Sequence, residues 1–488
     1  MANQRPNILW LCSDQQRWDT IGRLGNPHIK TPNLDWLAAE GTAFGCAYAQ
    51  SPICTPSRAS MLTGRYPASH GVYRNGNEAF PPHEVLVTKT LSAAGYDCGL
   101  VGKLHLSAAK EYERRPDDGY RVFHWSHHPT PDFARGHDYE SWLRFEKGVD
   151  PQELYRGVAG FCGPGVPAAL SQSTWCGEMG IRFIQERRNA PWLLSINFFD
   201  PHAPFDAPPE YLAQVDARTL PFPLWRDSDA ERWRDFERVD QQQVRPRDPR
   251  IRSGAQASRE RPEGIDFASK VPNNYDALEI KANYYAMIQQ IDAQVGRLTE
   301  TLRRTGQLDK TIVLYHSDHG ELLGDHGLML KGCRFFDGLV RVPMIWSWPS
   351  RFAKALESRA LVELVDIAPT LLEVVAIPQP WQMQGCSLFP ILEGRADPGP
   401  HKSHVVSEFW DSIAGQGDHT HGSMVFDGRW KSIIYHGHPV GEIFDLVADP
   451  GEFDNLWHHP ALRVERLKMH LDALAGTISN GPPRVLDY

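Results

Sequence analysis

The chain has 488 residues, 41% of them hydrophobic and 23% charged, an ordinary globular composition with room for one large domain and a smaller companion. Its 51 basic and 60 acidic residues leave a formal net charge of −9, which argues against a general nucleic-acid binder but permits a local cationic pocket. No apolar run approaches the roughly eighteen residues of a membrane span, and we expect no signal peptide ahead of the first strand-like segment. The eight cysteines lack metal-finger spacing, so we expect reduced thiols in a cytoplasmic protein, or a periplasmic one if a leader has been removed.

Residues 7–11 form a short apolar run that leads through Cys12 and Ser13 to Asp14 and Gln15. This is the pattern of a buried strand with an acid at its C-terminal tip, the end at which ligands gather in open α/β sheets. Residues 31–41 predict a helix with proline in its first turn and glycine past its end, followed by a strand over 44–49. Then comes Cys54-Thr-Pro-Ser-Arg58, opening the helix-capable run 59–63. Proline loses nothing in the first turn of a helix, so Cys54 falls at a helix N-terminus, where N–H groups and the dipole favour an anion. Arg58, one turn on, adds a guanidinium to the same place. A lone cysteine in such a run is more often a small buried hydrophobe. The surrounding string gives Cys54 its weight.

A helix over 83–94 and a strand over 96–101 lead to Gly102-Lys-Leu-His105, where alternation sets Lys103 and His105 on one face. Residues 111–172 are irregular and aromatic-rich, with His124, Trp125, His127 and His128 together; they read as an excursion around a site mouth or as a packed loop. A helix over 174–188 and a strand over 192–199 follow, and the strand ends at Asp200-Pro-His202-Ala-Pro. Residues 208–271, dense in Arg, Asp, Gln and Pro, read as an insertion anchored by Trp225 and Trp233. Residues 274–304 predict a long helix, with apolar positions from Tyr284 to Leu302 recurring every three to four residues. The strand over 311–316 then delivers Asp318 and His319 side by side ahead of Gly320, which with Asp14 makes a candidate cation cage. A strand over 341–346 and a helix over 366–374 complete a domain spanning 1–395. Residues 396–488 read as a smaller unit, with alternating strands over 404–408, 422–425, 430–435 and 442–445, and a tail over 482–488 that is either disordered or an oligomer arm. The segment 417–422 is a candidate for the site rim.

Cys-x-Pro-Ser-Arg followed by Ala-Ser-x-Leu-Thr-Gly resembles the signature of the type I sulfatases in the alkaline phosphatase superfamily. Gly-Lys-x-His at 102–105, Pro-His-x-Pro at 201–204, Ser-Asp-His-Gly-Glu-x-x-Gly-Asp-His at 317–326 and Lys331 beyond it extend the resemblance. The run from Phe444 to Leu456 resembles the C-terminal subdomain motif of the same family. The resemblance implies an α/β fold, with a large mixed sheet flanked by helices and a smaller C-terminal antiparallel-sheet subdomain. It also implies that a formylglycine-generating enzyme oxidises Cys54 to formylglycine, whose hydrate attacks sulfur. One divalent metal would be held by Asp14, Gln15, the side chain at Cys54, Asp318 and His319. Arg58, Lys103 and Lys331 would balance charge on the sulfuryl oxygens, and His202 and Lys331 would meet the leaving oxygen. His105 would take a proton from the second hydroxyl, so that C–O cleavage releases sulfate and restores the aldehyde.

Gln15 and His319 replace the Asp and Asn common in the family, which makes the metal site similar to those of choline sulfatases and phosphonate monoester hydrolases. The Lys103–His105 pair and the Pro-His-x-Pro string favour a sulfatase over a phosphonate monoester or phosphodiester hydrolase. Oxygen-rich ligands suit Ca²⁺ first, with Mg²⁺ and, through His319, Mn²⁺ as alternatives. The expected partners are a small sulfated substrate and the modifying enzyme, with neither nucleic acid nor membrane, and a homo-oligomer left open.

Overall fold

The computed structural model describes residues 5–109, 112–130, 136–158, 160–239, 242–251, 269, 271–272, 276–411 and 420–479. In chain order its strands are β1 (Asn7–Ser13), β2 (Gly41–Tyr48), β3 (Asp97–Gly102), β4 (Val122–Trp125), β5 (Trp192–Asn197), β6 (Thr311–Ser317), β7 (Arg341–Val342), β8 (Met344–Ser347), β9 (Leu356–Glu363), β10 (Val405–Trp410), β11 (His421–Phe426), β12 (Trp430–Tyr435) and β13 (Gly441–Asp445). The longer helices are α1 (Pro32–Ala39), α2 (Cys54–Thr63), α3 (Val87–Ala93), α4 (Gln172–Gln185), α5 (Ala277–Arg304), α6 (Ile367–Val374) and α7 (Pro460–Ser479).

The first nine strands make one mixed sheet in the order β4-β3-β5-β1-β6-β8-β2-β7, with β9 paired to β2. From β4 to β6 the pairing is parallel, and β8 runs antiparallel to both β6 and β2. Both faces of the central strands are covered, so their sequences are apolar almost throughout. In β1, Ile8, Trp10 and Cys12 enter a core layer with Leu62, Leu91 and Leu371, while Leu9 and Leu11 enter the opposite layer with Trp175, Ile291 and Leu298. Helices α2, α3 and α6 thus cover one face, and α4 and α5 the other. The remaining strands form an antiparallel sheet, β10-β11-β12-β13, whose outer face receives α7 through Ala473. No helix among the described residues is long and apolar enough to cross a membrane.

This is the expected α/β architecture, with several differences of detail. The helix expected over 83–94 begins only at Val87, because residues 81–86 turn before Leu86 takes the N-cap. Within the aromatic excursion, β4 joins the sheet edge against β3, a short strand with no long apolar run to announce it. Pro343, which has no N–H to give a ladder, divides the strand expected over 341–346 into β7 and β8. Helix α7 and strand β9 were not anticipated. In the insertion, Trp225 and Trp233 are half-buried, and Phe236 and Val239 are the residues that enter the core against the second sheet. The tail over 482–488 and positions 417–419 lie outside the described residues.

Two details of this framework make measurable predictions. Gly102 adopts φ +98°, and a Cβ there would stand 2.0 Å from the Asn197 carbonyl oxygen. Gly102→Ala is expected to destabilise the protein by about 2 kcal/mol or more in chemical denaturation, from left-handed strain plus the clash. Glu408 is buried on β10, and burial pushes its carboxyl up to about 7. The folded state therefore holds a proton that the unfolded state releases near pH 4.5, so stability falls as pH rises through that window and the cost is complete above pH 7. Glu408→Gln is expected to gain up to about 3 kcal/mol over the wild type at pH 8 and far less at pH 5, read from denaturation midpoints at the two pH values.

Candidate active site

Neighbouring parallel strands place the first two acids. Asp14 follows β1 and Asp318 follows β6, and the Asp318 amide donates to the Ser13 carbonyl at 3.3 Å, carrying the pairing past the strand ends. One Asp318 oxygen accepts the backbone N–H of Gln15 at 3.0 Å and of His319 at 2.9 Å, joining the two tips. Gln15 takes the left-handed conformation, φ 68°, which is uncommon for a residue with a side chain. Its backbone is held there by Asp318 and by the Tyr284 hydroxyl of α5, which donates to the Gln15 carbonyl at 2.6 Å. Asp14, Gln15, Asp318 and His319 have no accessible surface.

Cys54 is the first residue of α2, a helix buried along its whole length. Ile53, at the N-cap, supplies no side-chain bond, and the Thr55 N–H is taken by Asn75 Oδ1 at 3.0 Å. Cys54 Sγ lies 3.1 Å from His319 Nε2, 3.0 Å from Lys331 Nζ and 3.7 Å from Asp14 Oδ1. One turn on, Arg58 donates through Nε to Asp318 at 2.8 Å, through Nη2 to Asp14 at 3.1 Å and through Nη1 to the Lys103 carbonyl at 3.0 Å. Lys103 Nζ pairs with Asp14 at 2.5 Å. Lys331 Nζ meets Gln15 Oε1 at 2.8 Å and His202 Nε2 at 2.9 Å as well as Cys54. Every candidate named from the sequence thus lies in one buried cluster except His105, which stands beside it and packs its ring edge-on against His127 at 4.4 Å.

Two backbone contacts orient the histidine rings. His202 Nδ1 lies 2.6 Å from the Ala203 carbonyl and His319 Nδ1 lies 2.8 Å from the Gly320 carbonyl, so each Nδ1 carries a proton and each Nε2 is the nitrogen turned inward. Burial, with Lys331 close by, holds His202 well below the usual imidazole range. Burial together with Lys103 and Arg58 does the same to His105, whose Nδ1 has no hydrogen-bond partner among the described residues. Burial alone would push Asp14 up, but Lys103 and Arg58 hold its carboxyl well below the carboxylate range. At Cys54, burial and Asp14 raise the thiol while Lys331, Lys103 and His319 lower it; the cations prevail and the shift is downward.

Several supporting residues were not singled out in the sequence. Glu113 accepts the Leu106 N–H at 2.6 Å and the Trp125 indole N–H at 2.9 Å, fixing the turn that follows His105. Glu321 accepts from the Gln15 side-chain amide and from the backbone of Leu323 and Leu330. The insertion straps down the loop that carries Lys331: the His326 N–H donates to the Leu224 carbonyl at 2.8 Å, and the Arg247 N–H to the Gly327 carbonyl at 3.0 Å. At its other end Arg232 pairs with Glu442 of the second sheet. Glu321 did stand inside a recognised motif; Glu113 and the strap carry no local signal.

The donor set suits a hard divalent cation. Ligand atoms of Asp14, Cys54, Asp318 and His319 lie within 4.8 Å of one another, two carboxylates and an imidazole among them, and the Gln15 amide oxygen shares with Cys54 and His319 a contact with Lys331. The nearby ammonium and guanidinium groups would face the anion such a cation attracts.

Comparison with known proteins agrees with this geometry. The sulfatase family profile matches residues 6–377, and the profile for the C-terminal part of N-sulphoglucosamine sulphohydrolase matches residues 324–476. An arylsulfatase of Clostridium perfringens is 29% identical over 96% of this chain and 93% of its own length. A choline-sulfatase of Rhizobium meliloti is 27% identical over 96% of this chain and 86% of its own. The crystal structure of a phosphonate monoester hydrolase of Agrobacterium radiobacter superposes with a TM-score of 0.80 at 25% identity, covering 98% of this chain and 96% of that one. The chain belongs to the sulfatase family.

Proposed function

We propose that this protein hydrolyses a small sulfate monoester, using formylglycine made from Cys54 as nucleophile and one divalent cation held by Asp14, Gln15, Asp318 and His319. The observation that carries the reading is the position of Cys54: its Sγ lies at a helix N-terminus, between His319 and Lys331, with Asp14 alongside. Ca²⁺ is the cation the oxygen donors favour first, with Mn²⁺ and Mg²⁺ as alternatives. When bound, such a cation polarises the sulfuryl oxygens and lowers the pKa of an adjacent hydroxyl. The oxidised side chain supplies a geminal diol, one hydroxyl to attack sulfur and a second whose deprotonation expels sulfate.

The chain's own groups fit the remaining tasks. Arg58 is held by Asp14 and Asp318 and Lys103 by Asp14, so their positive charge is fixed beside Cys54 before an anion arrives and needs no large reorganisation. Lys331, touching both Cys54 and His202, stands where a leaving oxygen departs, and its ammonium offers that oxygen a proton. His105, kept neutral by burial and its cationic neighbours, is a base for the second hydroxyl.

A second reading, phosphonate monoester or phosphodiester hydrolysis at the same centre, draws support from Gln15 and His319 and from the likeness to the Agrobacterium enzyme. Lys103 and His105 argue for sulfate as the main substrate. Four measurements test the reading. Intact-mass analysis is expected to show a loss of about 18 Da at Cys54, the thiol-to-aldehyde difference. On that material p-nitrophenyl sulfate is expected to outperform phenyl phosphonate and bis-aryl phosphate in kcat/KM; the reverse order selects the second reading, and no turnover of any ester overturns both. His105→Ala is expected to lower kcat by about 10²-fold or more. Asp318→Asn, which leaves Arg58 with Asp14 as its remaining carboxylate partner, is expected to lose retained metal and about 2–3 kcal/mol of stability, read by elemental analysis and denaturation.

A further inference from the structure

Gln15 poses a problem that an aspartate at the same place would not. A side-chain amide has one end that can ligate a cation and one that cannot, and the two ends have the same shape. Something must hold the oxygen inward.

The structure assigns this task to Glu321, a residue that touches neither the Cys54 side chain nor the candidate metal ligands other than Gln15. Its carboxylate has no accessible surface. Oε1 is committed to two backbone donors, Leu323 N at 2.9 Å and Leu330 N, and Oε2 accepts from Gln15 Nε2. At the opposite end of the amide, Lys331 Nζ donates to Gln15 Oε1 at 2.8 Å. A flipped amide would set oxygen against a carboxylate and NH₂ against an ammonium, losing both hydrogen bonds in a site that water cannot enter to repair. Glu321 is therefore a positioning residue. It fixes which end of Gln15 faces the donor cluster, and through Leu330 the same carboxylate anchors the backbone next to Lys331. The pairing also accounts for the amide itself, since a glutamate at 15 would place two carboxylates in contact with no cation between them.

The inference rests on the reading of the cluster as a divalent-cation site. It is tested by calorimetric titration of the purified full-length protein with CaCl₂ and with MnCl₂, comparing wild type, Glu321→Gln, Gln15→Glu and the double swap Gln15→Glu/Glu321→Gln. In Glu321→Gln the new amide oxygen still accepts from Leu323 and Leu330, so the loop keeps its anchor. Its NH₂ now opposes that of Gln15 and forces the flip. A merely structural role would leave affinity unchanged in this variant, whereas the inference expects a loss of about 10–100-fold. Gln15→Glu is expected to lose affinity comparably. In the swap every donor again meets an acceptor, and affinity is expected to return to within about threefold of wild type, a free-energy gap under about 0.7 kcal/mol. Equal affinity of Glu321→Gln and wild type, or a swap that binds no better than Gln15→Glu, overturns the inference while leaving the cation site standing. A wild type that binds neither ion overturns both. Should Glu321→Gln fail to fold by circular dichroism, the comparison of Gln15→Glu with the swap decides alone.

Discussion

The site depends on a carboxylate shared between two cations. Asp14 lies beneath Arg58 and Lys103, all three buried, and Asp318 takes the other side of the same guanidinium. Charges removed from water at this depth are tolerable only when paired and fully hydrogen-bonded. That requirement accounts for much of the local architecture. It needs β1 and β6 adjacent and parallel so that their tips converge, and it needs α2 to enter at their ends with Cys54 first and Arg58 one turn later. It also needs Gly102, whose missing side chain lets the Lys103 N–H reach the Asn197 carbonyl at 3.0 Å.

The cluster sets basic groups against acidic ones at close quarters. Three basic groups, Arg58, Lys103 and Lys331, face two carboxylates, and the histidines around them are tuned in different directions. His202 and His105 are pushed down by burial and neighbouring cations. His319, beside Asp318 and Cys54, is raised in spite of its burial. Neighbouring imidazoles thus carry opposed shifts, a difference that identical residue types acquire only through their surroundings.

Much of this was legible in the sequence because strand tips are local objects. An apolar run ending in Asp, or in Asp-His-Gly, states its own place in a parallel sheet, and Cys-x-Pro-Ser-Arg states its helix. Residues 83–86 misled because amphipathic spacing continues across a turn that only tertiary packing defines. Pro343 was visible, yet its effect depends on which neighbour lacks a ladder bond. Strand β4 is four residues long and gains its identity from β3 alone. Glu113 and Glu321 were invisible as supports for a different reason: each accepts hydrogen bonds that no spacing encodes, Glu113 from residues 7 and 12 positions away and Glu321 from one more than three hundred positions away.

The insertion was equally unreadable, and its manner of attachment explains why. It grips the Lys331 loop in good part through main-chain bonds: His326 N–H to the Leu224 carbonyl, Arg247 N–H to the Gly327 carbonyl, Met329 N–H to the Ser269 carbonyl and Ser269 N–H to the Lys331 carbonyl. Such bonds are blind to side-chain identity, whereas the Asp229–His326 and Leu224–Asp325 contacts beside them are not. The lysine beside Cys54 is thus held by a segment distant from it in sequence, partly through contacts that tolerate substitution and partly through contacts that do not.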